Sequence, residues 1–538
     1  MGDTDGCYGD GIPRQVTLVS GVEGDILSIP GPSIVVCKGD EVSVIVDNEL
    51  ESDSTTIHWH GLHMRNTQTA DGGPGVTQCP IEPGQHFSWY NFLADTPGTF
   101  WYHSHNEYQR DDGMYGAVII RDAVAEVSPG GVCDLTEHTI LLQEWYYNTA
   151  QHRYFNNKEE VPSSLLVNGV GRHHSDYHTT KQPWQVFTVH PTTCSYYRFR
   201  LVSSTSLHCP IIFSIEDHNF TVIATDGEDI QPEQNVASLT LANGERFDIL
   251  VDVSDHEERS YIMRFGGSPG EFTNCKDLAA IAFLQYKDSA VNQKLEPDYD
   301  ECVSVPGRHV NPLPSLDVPP YQQPVLVTSL HSVHQLEHQQ QPDKTFYLLL
   351  GDGSQGAHVN NISFDLNTLT IPLLTADHPD LDSVCDQSYA EDGLMCDPGL
   401  DKHGCACHNI LHVETGDVVE IFLINPDLER PIAHPLHLHG YFFNVLGSGL
   451  IPPENPMEYV RQQNEEGNIA RNLQDPPRKD SVQTSPGGFL LIRFFADNPG
   501  YWLMHCHISF DVIEGQAMVV KVGDRDEWVI PDDFPQCG

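Results

Sequence analysis

The chain has 538 residues and a formal net charge of −48, from 76 acidic and 28 basic side chains. So negative a surface repels nucleic acid and anionic membranes, which argues against partners of either kind. No apolar run reaches the ~20 residues that a membrane-spanning helix needs, and domains of ~100–200 residues would divide a chain of this length into about three.

The composition favours an oxidising compartment. Fourteen cysteines are scattered along the chain, and the sequons at Asn219 and Asn361 could carry glycans. The start, MGDTDGCYGDG, lacks the basic and apolar parts of a secretory signal, so a signal is absent or already removed. We expect a secreted, disulfide-bonded glycoprotein. Disulfides are also expected near residues 385–407, although the stretch HGCACH (403–408) could instead bind a metal.

Short β-branched and aromatic runs, bounded by Gly, Pro, Asn or Asp, predict β-strands along most of the chain. In chain order they are VSVIVDN, FSWYNFLAD, GAVIIRD, YYRFRLVSS, FTVIATDG, FDILVDVS, VVEIFLIN, FLLIRFFAD and AMVVKVGD. Long periodic helices are lacking. The pattern predicts an all-β fold of Greek-key β-sandwiches whose cores take alternate side chains.

A pair of phrases from the first third of the chain recurs in the last third. CKGDEVSVIVDNEL with HWHG resembles ETGDVVEIFLINPD with HLHG, and FLADTPGTFWYHSH resembles FFADNPGYWLMHCH. Such a repeat indicates two copies of one domain type. The middle of the chain continues the strand pattern without paired histidines. We therefore predict three related sandwiches, at residues 1–133, 134–310 and 311–538. The third follows a connection rich in Pro and Gln, and the first and third face each other across a metal site.

Four short motifs each place two histidines two residues apart. The pairs are His58 and His60, His103 and His105, His437 and His439, and His505 and His507. Alternate side chains of a strand point to one face, so both imidazoles of a pair can reach the same site. One pair could arise by accident, but four pairs at the ends of apolar strands are hard to explain as core packing. Eight imidazoles suffice for several ions of copper, zinc or iron.

One cysteine lies inside the last of these motifs. Cys506 is bonded on both sides to a histidine, and His434 precedes the third pair by three residues. A thiolate among imidazoles favours copper in a mononuclear electron-transfer site.

The motifs PGPSIVVCKGD, TTIHWHG, DGGPGVTQCPIEPG, FWYHSH and QRDDGMYGAVIIRD resemble those of multicopper oxidases, and most of all animal laccases. The resemblance covers essentially the whole chain. It implies three cupredoxin-like domains with copper as the cofactor. In that family a type 1 copper takes single electrons from a phenol or similar donor, and a trinuclear cluster reduces dioxygen to water.

The same resemblance implies a role for each candidate ligand. His58 and His437 would bind the type 2 copper, while His434 and Cys506 would supply two ligands of the type 1 copper. The type 3 pair would be bound by His60, His103, His105, His439, His505 and His507. The backbone of Cys506 and its two neighbouring histidines would carry electrons to the cluster.

The expected type 1 site departs from the family at two positions. The family pattern is H-C-H-x-x-x-H-x-x-x-G followed by Met, Leu or Phe, whereas this chain has Asp511 for the last histidine and Gln516 at the axial position. A carboxylate oxygen lies about as far from Cα as the coordinating histidine nitrogen, so Asp511 could reach the metal. Hard oxygen ligands favour Cu(II), which would lower the reduction potential and shift the site towards a tetragonal form.

Asp511 also lacks the ring edge through which the family's histidine faces the electron donor. Oxidation of typical phenols is therefore expected to be weak or absent. The alternative is that Asp511 and Gln516 are ordinary polar residues in a site that has lost its copper or holds zinc.

Two acidic residues, Asp111 and Asp112, follow His105 closely. They could relay protons to bound oxygen species, as a nearby acid does in the family, or they could form an exposed acidic turn.

Two functions are open at this level. The chain could be a laccase-like oxidase that couples oxidation of a small-molecule reductant to reduction of dioxygen. It could instead be a non-catalytic copper protein that binds dioxygen reversibly or stores copper. The full-length resemblance favours the oxidase, and no pattern points to a particular oligomeric state.

Overall fold

The computed structural model is dominated by β-strands, with short helices between some of them. It describes residues 9–21, 27–122, 136–156, 160–173, 182–206, 209–268, 275, 278–287, 289–312, 324–353, 356–364, 372–375, 384–385, 405–406, 408–428, 432–535 and 537. The α-helices are α1 (Ala150–Asn156), α2 (Tyr299–Val303), α3 (Pro456–Glu465) and α4 (Ser509–Glu514).

The strands follow one another along the whole described chain. They are β1 (Ile34–Cys37), β2 (Glu41–Asp47), β3 (Ile57–His60), β4 (His86–Leu93), β5 (Gly98–Ser104), β6 (Tyr115–Arg121), β7 (Thr136–Trp145), β8 (Ser164–Val167), β9 (Val186–Val189), β10 (Tyr196–Ser203), β11 (Ile211–Ile215), β12 (Phe220–Thr225), β13 (Glu228–Leu241), β14 (Arg246–Asp252), β15 (Ser260–Gly267), β16 (Ala279–Tyr286), β17 (Arg308–Val310), β18 (Pro324–Val325), β19 (Lys344–Gly353), β20 (Gly356–Val359), β21 (Ile362–Ser363), β22 (Val384–Cys385), β23 (Cys405–Ala406), β24 (His408–Val413), β25 (Val418–Asn425), β26 (Pro435–Leu438), β27 (Phe443–Leu450), β28 (Arg478–Lys479), β29 (Ser481–Gln483), β30 (Gly488–Phe495), β31 (Gly500–Cys506) and β32 (Ala517–Val522). The predicted all-β class is confirmed, and each of the nine predicted runs contains a strand.

The chain divides into two compact units, each made of separated segments. The first unit comprises Met1–Lys38, Thr96–Tyr102 and Tyr108–Val333. The second comprises Gly39–Asp95, His103–Glu107 and His334–Gly538. The three predicted domain boundaries stay a prediction, and residues 313–323 of the expected connection lie outside the described residues.

The first unit contains one large sheet in the strand order β8-β7-β10-β14-β12-β13-β11-β15-β16-β9. Most neighbours in it are antiparallel, but β7 and β10 run parallel, which a Greek-key crossover allows. A separate core forms where Trp101, Tyr115 and Trp145 pack together in full burial.

The second unit contains two larger sheets. Their strand orders are β23-β21-β20-β19-β25-β30-β27-β28 and β22-β24-β32-β31-β26-β29. The eight residues of β25, VVEIFLIN, are all buried, which explains their nearly continuous apolar run. Leu503 and Val519 help fill one core, and Phe422 and Leu491 help fill another.

The internal repeat has a matching backbone feature. In both copies the strand that carries the second histidine motif begins at a glycine, Gly98 with φ +155° and Gly500 with φ +152°. Residues other than glycine rarely adopt this backbone conformation. This explains why both copies have glycine at the end of the shared D-x-P-G phrase.

Two disulfides join Cys79 to Cys537 and Cys209 to Cys275, with Cα atoms 5.5 and 5.4 Å apart. They confirm the prediction that disulfides are present. The cysteines predicted to pair near residues 385–407 have side chains outside the described residues. Among the described helices, none is both long and apolar enough to cross a bilayer.

Candidate metal centres

All four histidine pairs lie in the second unit, at or just beyond the ends of strands. β3 ends with His58-Trp-His60, and β5 contains His103 with His105 following it. The third and fourth pairs begin in β26 and β31. The end of a strand fixes the backbone on one side of each pair, so imidazoles from several strands can converge at one place.

Strand register explains how two different centres can share β31. β26 and β31 are antiparallel, with His437 opposite His505 and Leu436 opposite Cys506. Because side chains alternate along a strand, His505 points to one face and the Cys506 thiol to the other. One face therefore belongs to the histidine cluster and the other to a second centre.

Ring nitrogens of the cluster approach one another closely. The Nε2 atom of His505 lies 3.2 Å from Nε2 of His105 and 3.2 Å from Nε2 of His439. The Nε2 atoms of His58 and His437 are also 3.2 Å apart. Two nitrogens bound to one ion at ~2.0–2.1 Å in tetrahedral geometry would lie ~3.3 Å apart, so each set fits a shared metal ion.

The remaining three cluster histidines join the same group. Rings of His60 and His507 have centroids 4.9 Å apart, and those of His103 and His507 lie 5.5 Å apart. Donor atoms of His58, His60 and His103 all lie within 4.8 Å of one another. The structure thus brings together all eight imidazoles that the sequence singles out.

A fully buried carboxylate, Asp71, orients two of the rings. Its Oδ2 lies 2.9 Å from Nδ1 of His439, and its backbone oxygen accepts a hydrogen bond of 2.8 Å from Nδ1 of His58. Holding the proton on Nδ1 leaves each Nε2 lone pair directed at the cluster. This is the carboxylate–histidine arrangement that fixes the tautomer of metal ligands.

A second buried carboxylate, Asp480, serves two further rings together with the next residue. Nε2 of His60 lies 3.1 Å from Asp480 Oδ1 and 2.9 Å from the Ser481 hydroxyl. Nδ1 of His437 donates to the Asp480 backbone oxygen at 2.9 Å. The proton positions differ, so His60 would offer Nδ1 to a metal and His437 would offer Nε2.

The surroundings of three cluster rings favour the neutral form. Burial, reinforced by the charge of neighbouring imidazoles, holds the pKa of His439 and of His505 well below the ordinary histidine value. Burial also lowers the pKa of His437. A neutral imidazole is the form that binds metal, so these rings need not release a proton first.

The second centre contains the three donors that the sequence predicts. His434 Nδ1 lies 3.1 Å from Asp511 Oδ2 and 3.8 Å from Cys506 Sγ, and the thiol lies 3.3 Å from the same carboxylate oxygen. With metal–sulfur and metal–nitrogen bonds of ~2.3 and ~2.0 Å, a trigonal ion would separate sulfur from nitrogen by about 3.7 Å. The observed spacing fits that geometry.

Local backbone structure brings Asp511 to the thiol. After β31 the chain makes the short helix α4, and Gly515, with φ +111°, caps its C-terminal end. The Gln516 N–H donates to the Asp511 carbonyl at 2.9 Å, and the Cys506 N–H donates to the Gln516 carbonyl at 2.9 Å. These two hydrogen bonds hold the segment between β31 and β32 in place, with the Asp511 carboxylate beside the Cys506 thiol.

Two buried polar atoms beside this centre lack a hydrogen-bond partner among the described residues. They are Nε2 of His434 and Oε1 of Gln516, both on fully buried side chains. The Gln516 amide nitrogen donates to the Gly351 carbonyl at 3.2 Å. A buried polar atom without a partner is costly, and a metal ion is one way to satisfy the glutamine oxygen. Axial ligation by Gln516 stays a prediction.

The two acidic residues proposed as a proton relay lie in the first unit. Asp112 forms an ion pair with Arg14 and accepts the Ala150 N–H at 3.1 Å, and Asp111 lies 3.4 Å from an Arg153 nitrogen. Both carboxylates are buried, so the alternative of an exposed acidic turn is wrong. Burial raises the pKa of Asp112 to about 6, against the opposing charge of Arg14, within the range useful for proton transfer. The relay itself stays a prediction.

Sequence reasoning missed the residues that orient the rings: Asp71, Asp480 and Ser481. Asp71 begins the DGGPG phrase, and acidic residues before glycines are common in turns, so the pattern gave no metal signal. Asp480 and Ser481 follow two basic residues in RKDS and have no regular spacing from any histidine. Only the folded backbone relates them to the cluster.

Comparisons with protein families give a consistent picture. Family models described as multicopper oxidase match residues 11–124, 136–289 and 375–526.

Several characterised proteins are similar over nearly the whole chain. The iron transport multicopper oxidase fio1 of Schizosaccharomyces pombe is 31% identical over 95% of this chain and 75% of that protein. Laccase-1 of Fomitopsis schrenkii is 30% identical over 96% and 85%. The L-ascorbate oxidase of Cucurbita pepo var. melopepo is 27% identical over 97% and 94%.

Solved structures show the same fold. Fet3p, a multicopper oxidase that functions in iron import, superposes with a TM-score of 0.69 at 24% identity over 94% of this chain and 88% of that one. The laccase from Botrytis aclada gives 0.69 at 24% identity over 96% and 88%. The predicted arrangement of three cupredoxin-like domains is therefore confirmed as the fold class.

Proposed function

The chain belongs to the multicopper oxidase family and uses copper as its cofactor, and from that premise we propose a laccase-like function. It takes single electrons from a small-molecule reductant at the Cys506 centre and uses them to reduce dioxygen to water at the histidine cluster. The reductants we favour are phenols and catechols that are easily oxidised.

One observation carries this proposal: the three donor atoms of His434, Cys506 and Asp511 lie within 3.8 Å of one another. The aspartate, which stands where the family pattern has a histidine, lies 3.3 Å from the thiol. These three residues would hold copper that supplies a one-electron acceptor, and the eight imidazoles would hold copper that supplies the chemistry of dioxygen reduction.

The chain itself provides the connection between the two centres. Cys506 is covalently linked to His505 and His507, whose rings belong to the cluster. A hydrogen bond of 2.7 Å between the His505 ring and the Cys506 carbonyl ties one ring to the same peptide. Electrons arriving at the thiol therefore have a route of a few covalent bonds to the cluster.

Asp511 sets the limits of this activity. A carboxylate is a harder ligand than imidazole and favours Cu(II), so the reduction potential falls below that of a centre with two histidines. Reductants of high potential lose their driving force, whereas easily oxidised catechols keep it. The absence of an imidazole edge at this position further weakens contact with the donor.

A second function has one observation in its favour. All eight cluster imidazoles are present, while residue 511, where the family pattern has a histidine, is an aspartate. A protein that binds dioxygen reversibly or stores copper would gain from slow reduction. Such a carrier would keep the cluster and lose turnover.

The two functions differ in copper content and spectrum. We expect four copper ions per chain, a thiolate-to-copper absorption band, and oxygen uptake with catechol. The carrier function would be favoured instead by three copper ions per chain, no thiolate-to-copper band, and an absorbance that changes reversibly with oxygen. Elemental analysis, visible and paramagnetic resonance spectra and an oxygen electrode, applied to one preparation, make the distinction.

The cellular setting belongs to the same proposal. Two disulfides and two sequons favour a secreted glycoprotein, since disulfides persist in oxidising compartments. Mass spectrometry of the natural protein would show glycans at Asn219 and Asn361 if the proposal is correct.

A further inference from the structure

The Cys506 centre lacks an imidazole edge from its own motif, but a histidine from a distant part of the sequence lies near it. His358 is on β20, where it pairs with Gly351 of the antiparallel strand β19. Burial first, and then the nearby His434 ring, lower the pKa of His358.

Gly351 provides the space that the His358 ring occupies. A methyl group at Gly351 would lie 2.5 Å from Nε2 of that ring, far inside van der Waals contact. The Gly351 carbonyl accepts the hydrogen bond from the Gln516 side chain, and the Gln516 carbonyl accepts the one from Cys506. The His358 ring is thus joined to the cysteine through one glycine and one glutamine.

A tight hairpin holds His358 in this position. Asn360 and Asn361 form the two-residue turn between β20 and β21, with φ +54° and +62°, as in the favoured type I′ hairpin. The Asn360 side chain accepts the Leu349 N–H at 2.7 Å and donates to the Tyr347 carbonyl at 3.2 Å, which fastens the turn to β19. The histidine is therefore on a rigid element.

The same turn selects the tautomer of the ring. The Asn361 N–H donates to Nδ1 of His358 at 3.3 Å, so the neutral ring carries its proton on Nε2. The side chain is partly exposed. A partly exposed neutral imidazole offers an aromatic face and one N–H donor, which together suit an aromatic ring that bears oxygen.

We propose that His358 binds the electron donor and supplies the ring contact that Asp511 cannot make. The donors it accepts are phenols and catechols that are neutral or cationic, because a chain with a formal charge of −48 repels anions. This inference rests on the proposed oxidase function and names the residue that recognises the substrate.

The test compares two histidines of the second unit in the copper-loaded full chain. His358→Ala removes the proposed contact, and His358→Phe keeps an aromatic face. His338→Ala is the matched control, because His338 is also partly exposed and stacks on an aromatic ring, that of Phe495, at 3.7 Å. Steady-state kinetics use catechol and, as a cationic donor of low potential without an aromatic ring, hexaammineruthenium(II).

We expect His358→Ala to raise KM for catechol about 3- to 10-fold, the range that one aromatic contact supplies. The KM for hexaammineruthenium(II), the visible band and the paramagnetic resonance spectrum should not change, and His358→Phe should restore most of the affinity. A loss shared by both donors, or an equal loss in His338→Ala, would overturn the proposal, since either would indicate a general structural effect.

A binding measurement separates this inference from the oxidase proposal. The probe is 4-nitrophenol, a poor electron donor, titrated by difference absorbance at about pH 5.5, where it is neutral, into wild type and His358→Ala with and without copper. Weaker binding to the variant in both forms supports the role of His358 even if the wild type lacks turnover. Equal binding to both chains rejects it even if turnover is normal.

Discussion

The histidine cluster and the Cys506 centre share β31 yet follow the family pattern to different degrees. The cluster has all eight expected imidazoles, with two buried carboxylates beside them, whereas the other centre has Asp511 where the sequence resemblance predicts a second imidazole. The strand explains how this is possible, because His505 and Cys506 point to opposite faces. Ligands of one centre can thus change while those of the other stay in place.

Substitutions that remove one centre and keep the other should change the protein most. Cys506→Ser should abolish the thiolate absorption band and lower turnover with catechol at least ~100-fold, because a hydroxyl is a poor copper ligand. The cluster should keep its three copper ions. His439→Ala should do the reverse, with dioxygen reduction lost and the thiolate band kept. Copper analysis, spectra and oxygen uptake report all three quantities.

The two centres would not be independent if Cys506→Ser also emptied the cluster. Circular dichroism and thermal unfolding of both variants serve as the control for misfolding. A cluster that loses copper in a folded Cys506→Ser protein would contradict the separation by strand alternation.

The next largest effect concerns the buttressing of the cluster. Asp71→Asn should weaken copper binding at the cluster ~10- to 100-fold, the usual cost of removing a carboxylate that orients a metal-binding histidine. Asp497→Asn is the matched control, since Asp497 is an exposed aspartate of the same unit paired with Arg65. Titration with a copper chelator measures the affinity. Equal behaviour of the two variants would show that Asp71 does not act on the cluster.

A smaller effect is expected from restoring the family residue at the second centre. Asp511→His should strengthen the thiolate band and raise the reduction potential, because imidazole stabilises Cu(I) better than carboxylate. The rate with phenols should rise about tenfold, which corresponds to ~1.4 kcal/mol in the barrier. Redox titration and steady-state kinetics provide the measurement. An unchanged band and an unchanged phenol rate would mean that Asp511 is not a ligand.

The sequence predicted more of the cluster than of its surroundings. Paired histidines at strand ends are visible as H-x-H motifs because a strand has a period of two, and the structure brings all eight together. The carboxylates of Asp71 and Asp480 act across large sequence separations, and no local pattern encodes them. The sequence analysis missed His358 for the same reason, since its relation to Gly351 and Gln516 depends on contacts between β19, β20 and the segment that precedes β32.

The fold shows a similar limit. All nine strand predictions rested on local composition and proved correct, whereas the pairing of β7 with β10 in parallel depends on contacts between distant segments. Asp112 is a further example. Its sequence context, QRDDG, is typical of an exposed turn, yet partners at Arg14 and Ala150 make its burial possible.

His309 is a buried histidine that we expect not to bind copper, so its substitution should change the copper content least. His309 is as deeply buried as the cluster rings, but Nδ1 lies 2.6 Å from the Ser238 hydroxyl and Nε2 lies 2.8 Å from the Thr240 hydroxyl. Both ring nitrogens are used inside the first unit. His309→Gln, which can keep hydrogen bonds to both hydroxyls, should leave the copper content unchanged.

His309 should instead affect how stability depends on pH. Burial lowers its pKa to about 3, so between pH 6.5 and 3 the unfolded chain binds a proton that the folded chain does not. The free energy of unfolding therefore falls as the pH falls, by ~1.4 kcal/mol per pH unit within that window. Glutamine does not titrate, so between pH 7.5 and 5.5 the stability of His309→Gln should rise relative to wild type by about 1.4 kcal/mol. Urea unfolding of both chains at the two pH values measures this change, and a constant difference would show that His309 has the same pKa in the folded and unfolded chains.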